Sequence, residues 1–127
     1  MTEKKTKKTI LIVDDDSAYL ANIKKEITDR GYGVLTASDG EEGVSVALKE
    51  HPDLIVLDTL LPYVSGPDAL KQLRADKWGA EVPVIVVTQV EFMGNVAQTV
   101  SKGVVGYLVK GDWSISELAD KIIEKIK

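Results

Sequence analysis

The feature that most constrains the fold is a short apolar run that recurs along the chain, each time followed by a stretch of helical character. Three of these runs, residues 9–13, 53–57 and 82–87, are rich in β-branched residues. They lack polar alternation, so they are predicted to be strands buried on both faces, as in a parallel sheet. Two weaker runs, residues 34–37 and 104–109, complete a predicted set of five strands.

Amphipathic stretches between these runs predict the helices. Residues 18–30 place Leu20, Ile23, Ile27 and the Tyr19 ring at helical spacing, and Gly31 follows as a predicted C-cap. This spacing predicts that the first helix buries one face, with the Tyr19 ring on it, against the sheet.

Capping signals locate two further helices. Ser38 and Glu41 are predicted to form a capping box that opens a helix running to about Glu50. Ser114 and Glu117 are predicted to form a second box, which opens the last helix.

The remaining helices are predicted from Pro67 onward and over residues 91–101. Strands and helices then alternate as (βα)5, which predicts an α/β fold with a doubly wound, five-stranded parallel sheet. Right-handed crossovers place helices on both faces of such a sheet. Ligands bind beyond the carboxyl ends of its strands, so the residues at those ends are the candidates for function.

Composition excludes several classes of protein. The chain has no cysteine, which removes disulfides, thiolate metal sites and cysteine nucleophiles, and its one histidine, His51, excludes a multi-histidine metal centre. No apolar run approaches the roughly 20 residues that a membrane span needs. The first ten residues lack the apolar segment of a secretory signal, so a cytoplasmic location is expected.

The charge is divided unevenly along the chain. The net charge is -4, yet residues 1–8 hold four lysines and are predicted to be a basic, flexible tail before a single domain at 9–127. The rest of the chain is therefore acidic. Because phosphate neutralisation needs clustered lysine and arginine, no direct contact with nucleic acid is expected.

Polar residues stand where the predicted strands end. The first strand ends in Asp14 and Asp15, the third in Asp58, the fourth in Thr88 and the fifth in Lys110. Converging carboxylates repel one another unless a hard divalent cation such as Mg²⁺ lies between them. A carboxylate also acts as a nucleophile toward phosphorus, while lysine and threonine neutralise or hydrogen-bond phosphoryl oxygens. These residue types together suit phosphorylation of an aspartate.

With these residues the chain resembles the receiver domain of two-component response regulators over about residues 9–126. The matching segments are residues 10–16, 37–44, 52–66, 82–88 and 106–110. Their order along the chain, each at the end of the expected strand, carries the resemblance. It implies a flavodoxin-like strand order of 2-1-3-4-5.

The resemblance also implies a metal site and a phosphoacceptor. Asp58 corresponds to the phosphoacceptor, and Asp14 and Asp15 correspond to the acid pair that holds Mg²⁺. Asp15 is expected to ligate the ion directly and Asp14 mainly through water. Asp58 is also expected among the ligands, together with the backbone carbonyl of Leu60.

By the same resemblance, Thr88 is the switch hydroxyl that moves toward the phosphoryl group, Lys110 pairs with that group, and Tyr107 is the aromatic that moves with the hydroxyl. Three positions depart from the family pattern. Leu60 is apolar and offers no side chain to orient a hydrolytic water. Gln89 stands where a small residue is usual, so it is expected to screen the phosphoryl group or hinder the donor. Gly111 stands where proline is usual, so Lys110 is expected to be held less rigidly by the backbone.

The resemblance implies a signalling switch rather than a metabolic enzyme. The expected phosphoryl donor is a sensor histidine kinase or a phosphotransfer protein. The fourth helix, fifth strand and last helix are expected to bind a downstream protein target. A stand-alone receiver is expected because the chain ends with its last helix, with no membrane contact, as a monomer or a phosphorylation-dependent dimer.

Two alternatives remain open from the sequence. A small haloacid-dehalogenase-like phosphatase would use Asp14 as its nucleophile, since Asp14 and Asp16 after an apolar strand imitate the opening motif of that family. A pseudo-receiver would keep the fold and bind partners without phosphorylation, as Gln89 and Gly111 suggest. A flavodoxin-type flavin site is disfavoured because acids, rather than a Ser/Thr/Gly-rich phosphate loop, follow the first strand.

Overall fold

Five parallel strands form a single sheet. The computed structural model describes residues 7–88 and 103–126. The strands are β1 (Thr9–Val13), β2 (Gly33–Ala37), β3 (Leu54–Leu57), β4 (Val84–Thr88) and β5 (Val104–Val109). Their order in the sheet is β2-β1-β3-β4-β5, which confirms the predicted α/β fold and strand order.

Helices connect the strands. They are α1 (Ser17–Asp29), α2 (Gly40–Glu50), α3 (Gly66–Ala75) and α4 (Ile115–Glu124), with a 3-10 turn at Lys110–Asp112 after β5. The helix predicted over residues 91–101 lies outside the described residues. In 7–88 and 103–126, no helix combines the length and the apolar character needed to cross a bilayer.

The strand register brings the carboxyl ends of the strands to one edge. Val13 at the end of β1 pairs with Ala37 on one side and with Leu57 on the other. Farther across the sheet, Thr88 pairs with Val109 at the ends of β4 and β5. The residues that follow β1, β3 and β5 therefore emerge at the same edge of the sheet.

Alternate residues of each strand face opposite sides of the sheet and build two cores. Ile10 and Ile12 of β1 pack with buried residues of α1 and α4 on one side. Leu11 and Val13 pack with buried residues of α2 and α3 on the other side. Burial on both faces explains why the strand sequences are apolar at nearly every position.

Two strands begin later than the sequence predicted. Asp53 was expected to open the third strand, but β3 begins at Leu54 and the Asp53 carboxylate accepts a hydrogen bond from the Thr9 amide at 2.8 Å. The fourth strand was expected over residues 82–87 but begins at Val84 and extends to Thr88. Short polar or proline-containing edges of an apolar run carry no periodic signal, so the strand start depends on tertiary contacts.

The predicted capping box of Ser38 and Glu41 is wrong by one residue. Asp39 is the N-cap of α2, and its side chain accepts a hydrogen bond from the Glu42 amide. The Glu42 carboxylate in turn accepts a hydrogen bond from the Ser38 amide at 2.9 Å. Both Ser38 and Asp39 are good capping residues, and both are followed three positions later by glutamate, so the sequence did not distinguish them.

The other helix ends agree with the sequence. Ser114 and Glu117 form the predicted capping box of α4. Gly31 follows α1 with a φ of 95°, a left-handed conformation that glycine adopts readily. His51 ends α2 in the left-handed region, and its exposed ring stacks on that of Trp78 at a centroid distance of 4.3 Å.

Gly66 allows α3 to begin close to the end of β3. A Cβ atom on Gly66 would lie well inside van der Waals distance of the Asp58 carbonyl oxygen and the Thr59 Cα. The Gly66 amide also donates to the Thr59 carbonyl at 3.1 Å. Because Gly66 has no side chain, its backbone can approach that of Asp58 and Thr59, and the loop after Asp58 stays close to the end of β3.

We predict that Gly66→Ala lowers the free energy of unfolding by about 2 kcal/mol, because the added methyl group meets backbone atoms that do not yield easily. Gly111→Ala is the matched control, since no atom of residues 7–88 or 103–126 lies within 4 Å of its Cβ position. The control is expected to change stability by less than about 0.5 kcal/mol. Chemical denaturation of both variants measures the difference, and equal effects would contradict the steric explanation.

Candidate functional site

A cavity opens at the carboxyl edge of the sheet, where the polar residues that follow the strands meet. Its volume is about 390 Å³. The lining residues are Asp14, Asp15, Asp16, Asp58, Leu60 and Lys110. The structure therefore brings together the predicted acids and the predicted lysine from three different strand ends.

Three carboxylates in this cavity form a compact group. One oxygen each from Asp14, Asp15 and Asp58 can be chosen so that all three lie within 4.8 Å of one another. Asp14 is 2% exposed and Asp58 is 6% exposed, while Asp15 is open to solvent. Burying charged carboxylates costs free energy unless hydrogen bonds and opposite charge compensate them.

Backbone amides bind one oxygen of each buried carboxylate. The Asp16 amide donates to Asp14 Oδ1 at 3.0 Å, and the Leu60 amide donates to Asp58 Oδ1 at 3.2 Å. Each contact runs from the amide two residues farther along the chain, which is the pattern of an Asx turn. These turns orient the carboxylates so that each one presents its second oxygen to the cavity.

Lys110 faces those second oxygens. Its Nζ lies 2.5 Å from Asp14 Oδ2 and 3.7 Å from Asp58 Oδ2, and its side chain is 9% exposed. A lysine at the end of β5 thereby bridges acids at the ends of β1 and β3. Because these charges are shielded from water, their attraction is stronger than that of surface ion pairs.

Tyr19 was predicted from its spacing only as a residue on the buried face of the first helix. The structure places its ring next to the site. The Lys110 Nζ lies 4.0 Å from the centroid of the Tyr19 ring. Within the described part of the chain, the buried Tyr19 hydroxyl has no hydrogen-bond partner. Burial, and then the charges of Asp14 and Asp58, raise the pKa of this phenol above its ordinary value.

The only sequence signal for this contact is indirect. Tyr19 lies in the first turn of α1, which starts at the carboxyl edge of the sheet. The spacing of residues does not indicate that the side chain of Lys110 contacts Tyr19, which lies 91 positions earlier in the chain.

The remaining predicted residues lie at or near the same edge. Thr88 is the last residue of β4, and its backbone is paired with Val109, directly before Lys110. Leu60 lines the cavity with a side chain that is 62% exposed. Tyr107 lies in β5 and is half-buried. Gln89 falls outside the described residues.

The donor set suits a hard divalent cation. Asp14, Asp15, Asp58 and Lys110 together carry a net charge of -2 when all are ionised. A divalent ion would neutralise this charge, and carboxylate oxygens are the ligands that Mg²⁺ prefers. The residues present at this site therefore fit a bound magnesium ion.

Comparison with known proteins places the chain in a family. Residues 10–123 match the response regulator receiver domain. The chain belongs to this family, whose members are the receiver domains of two-component signalling systems. The family resemblance stated from the sequence is thus confirmed.

Individual relatives agree with this assignment. The chain is 30% identical to a CheY-like response regulator receiver domain protein from Methanospirillum hungatei, with a TM-score of 0.86 over 95% of this chain and 94% of that one. It is 28% identical to the receiver domain of the sensor histidine kinase PA1611 from Pseudomonas aeruginosa, with a TM-score of 0.83 over 95% and 98% of the two chains. That structure has a magnesium ion coordinated in its active-site cleft.

A curated relative is longer than this chain. The alkaline phosphatase synthesis transcriptional regulatory protein PhoP of Bacillus subtilis is 43% identical over 81 residues, which are 64% of this chain and 33% of that protein. The chain spans between about a third and a half of the length of the curated relatives that it matches, from 33% for PhoP to 48% for the regulator MprA. Similarity to these proteins therefore concerns their receiver portion.

We predict that Lys110→Met lowers the free energy of unfolding by about 3 kcal/mol, because the Asp14 carboxylate then stays buried without its cation. Asp14→Asn in the same chain should recover part of this loss, with a coupling energy of at least about 1 kcal/mol in a double-mutant cycle. Chemical denaturation of the wild type, the two single variants and the double variant, without added metal, measures this coupling energy.

The matched control is the exposed pair of Lys25 and Asp29, whose charged atoms lie 2.8 Å apart. The cycle of Lys25→Met and Asp29→Asn should give a coupling of about 0.5 kcal/mol, since water screens both charges. A coupling at Lys110 and Asp14 no larger than this control would contradict the buried ion pair.

Proposed function

We propose that this chain accepts a phosphoryl group on Asp58 from a phosphohistidine and transmits the change as a signalling switch. The observation that carries the proposal is the geometry around Asp58. Its carboxylate is buried at the end of β3, within one cavity that is also lined by three further acids and Lys110. This arrangement supplies a nucleophile, a cation site and a fixed positive charge for phosphoryl transfer.

The chain's own residues divide the work of the reaction. An oxygen of Asp58 attacks phosphorus, so that an O–P bond forms while the bond from phosphorus to the donor nitrogen breaks. The Leu60 amide holds Asp58 Oδ1 at 3.2 Å and fixes the orientation of the carboxylate. Lys110 then stabilises the negative charge on the phosphoryl oxygens, since its Nζ already lies 3.7 Å from Asp58 Oδ2.

Asp14, Asp15 and Asp58, with the Leu60 carbonyl, are the proposed ligands of a magnesium ion. When bound, the ion supplies positive charge that neutralises the phosphoryl oxygens in the transition state. The compact acid group of this chain and the magnesium in the receiver domain of PA1611 both support this assignment. Asp15, the exposed member, is the proposed direct ligand that a hydrated ion reaches first.

Thr88 and Tyr107 are the proposed switch residues. Thr88 ends β4 beside Val109, so its backbone lies next to the lysine that meets the phosphoryl group. Such a switch couples a local change of charge at Asp58 to the surface that binds a target. The surface that follows from the sequence comprises β5, α4 and the predicted helix over residues 91–101, which lies outside the described residues.

The proposed donor is a sensor histidine kinase or a phosphotransfer protein, and the proposed output is contact with a protein target, as a monomer or as a dimer formed on phosphorylation. The expectation of no nucleic-acid contact finds no support among the relatives, which include a DNA-binding regulator, RpaA of Synechocystis. The cytoplasmic location stays a prediction.

The pseudo-receiver is the second candidate function. Gly111 favours it, because glycine directly follows Lys110 and has more backbone freedom than any other residue. A loosely held lysine would stabilise a phosphoryl group poorly. Membership of the receiver family gives the phosphatase alternative no support, but the same experiment distinguishes all three functions.

We predict that acetyl phosphate with Mg²⁺ adds one phosphoryl group to the wild-type chain, localised to Asp58 by peptide mass spectrometry. Asp58→Asn should abolish this label, because an amide oxygen is a poor nucleophile. Asp39→Asn is the control variant. This change replaces the N-cap aspartate of α2 by asparagine, which caps a helix equally well, so the variant should be labelled like the wild type.

Two results would overturn the assignment of Asp58. A label that persists in Asp58→Asn and disappears only in Asp14→Asn would favour the phosphatase-like nucleophile. No label on any variant, together with no Mg²⁺-dependent response to beryllofluoride in tryptophan fluorescence, would favour the pseudo-receiver.

We also predict that Mg²⁺ raises the thermal unfolding temperature of the unphosphorylated chain, since an ion that binds only the native state stabilises it by about 1.4 kcal/mol at ten times its Kd. Asp15→Asn should remove most of this response. Asp16→Asn should retain it, because Asp16 serves as the N-cap of α1 and asparagine caps equally well. An equal response in Asp15→Asn would exclude Asp15 as a ligand.

A further inference from the structure

Lys110 owes its position to contacts of its side chain. Its Nζ contacts Asp14 at 2.5 Å, approaches Asp58 at 3.7 Å and lies 4.0 Å from the centroid of the Tyr19 ring. Two of these neighbours are the acids of the cavity. The third, Tyr19, comes from α1 and belongs to the core cluster on one face of the sheet.

The backbone after Lys110 offers little restraint. Gly111 follows directly, in a 3-10 turn, and its Cβ position has no neighbour within 4 Å among the residues that the structure describes. Glycine permits more backbone conformations than any other residue. The position of the ammonium group therefore depends on what surrounds the side chain.

The two acids attract the ammonium group unequally. Asp14 attracts the ammonium group more strongly than Asp58, because it lies closer by 1.2 Å. A lysine drawn wholly to Asp14 would be poorly placed for a phosphoryl group on Asp58. The face of an aromatic ring carries partial negative charge and attracts a cation, so the Tyr19 ring is a third attractive surface.

The core itself does not require tyrosine at position 19. The hydroxyl is buried and, among the described residues, it has no hydrogen-bond partner. An unpartnered buried hydroxyl costs free energy, whereas an aliphatic side chain would fill the same space without that cost. Packing alone therefore does not explain a tyrosine at this position.

We propose that Tyr19 is a positioning residue for Lys110. Its ring face holds the ammonium group between Asp14 and Asp58, where this group meets the phosphoryl group that Asp58 accepts. The ring restrains the position of the Lys110 ammonium group through a side-chain contact. A conformationally rigid residue after Lys110 would restrain it through the backbone instead. This inference rests on the proposed function, but the contact itself is testable without phosphorylation.

The contact is tested first by NMR on the unphosphorylated protein. Protons above a ring face are shifted upfield, so the side-chain protons of Lys110 should be upfield of those of exposed lysines and show nuclear Overhauser contacts to the Tyr19 ring. Tyr19→Phe should keep the upfield shift and Tyr19→Leu should remove it. Lys121, whose Nζ lies 4.5 Å from the Trp113 ring, should keep its own shift in both variants.

The consequence is tested by the rate of phosphorylation with acetyl phosphate and Mg²⁺. Tyr19→Leu should slow the reaction about tenfold, the ratio that corresponds to a cation–π contact of roughly 1.4 kcal/mol. Tyr19→Phe should stay within about twofold of the wild type, because it retains the ring. Tyr32→Leu is the matched control, since Tyr32 packs against the same core cluster. It should leave the rate within about twofold.

Each outcome decides one question. A wild-type chain that is not phosphorylated would overturn the proposed function, while the NMR contacts would still report on Tyr19 and Lys110. A phosphorylated wild type with equal rates for Tyr19→Leu and Tyr19→Phe would overturn the positioning role alone. If Tyr19→Leu does not fold, absence of ring-to-lysine contacts in the wild-type spectrum overturns it equally well.

Discussion

The rest of the site depends on the burial of two carboxylates at the ends of neighbouring strands. Asp14 and Asp58 are nearly inaccessible to water, so their charge has to be compensated within the protein. Backbone amides from the following turns bind one oxygen of each, and Lys110 faces the other. The same contacts that compensate the buried acids also bring the proposed nucleophile, the proposed cation site and the Lys110 ammonium group into one cavity.

The sheet makes this arrangement durable. Its strands are buried on both faces, by α1 and α4 on one side and by α2 and α3 on the other. A closely packed interior resists small displacements, so the strand ends stay in register. The loops beyond those ends carry residues of the proposed site, and Gly66 allows the loop after Asp58 to lie close to the sheet.

Family membership accounts for the common features of the site. Gly111 follows Lys110 in the 3-10 turn, and the Tyr19 ring faces the ammonium group of the same lysine. The proposed positioning role joins these two observations, because a contact from α1 would restrain a side chain whose backbone is followed by glycine, the residue with the most conformational freedom. In that case a neighbouring ring, rather than the backbone, would set the position of the lysine.

The sequence by itself determined the alternation of strands and helices, the residues at the strand ends and the family, because these follow from local apolar patterns and short motifs. It misplaced the cap of α2 by one residue, since Ser38 and Asp39 offer equivalent local signals. Only the tertiary structure decided that the Lys110 ammonium group bridges Asp14 and Asp58 and lies over the ring of Tyr19. Those contacts join residues far apart in the chain, and their distances depend on how helices pack across the sheet, which no local pattern encodes.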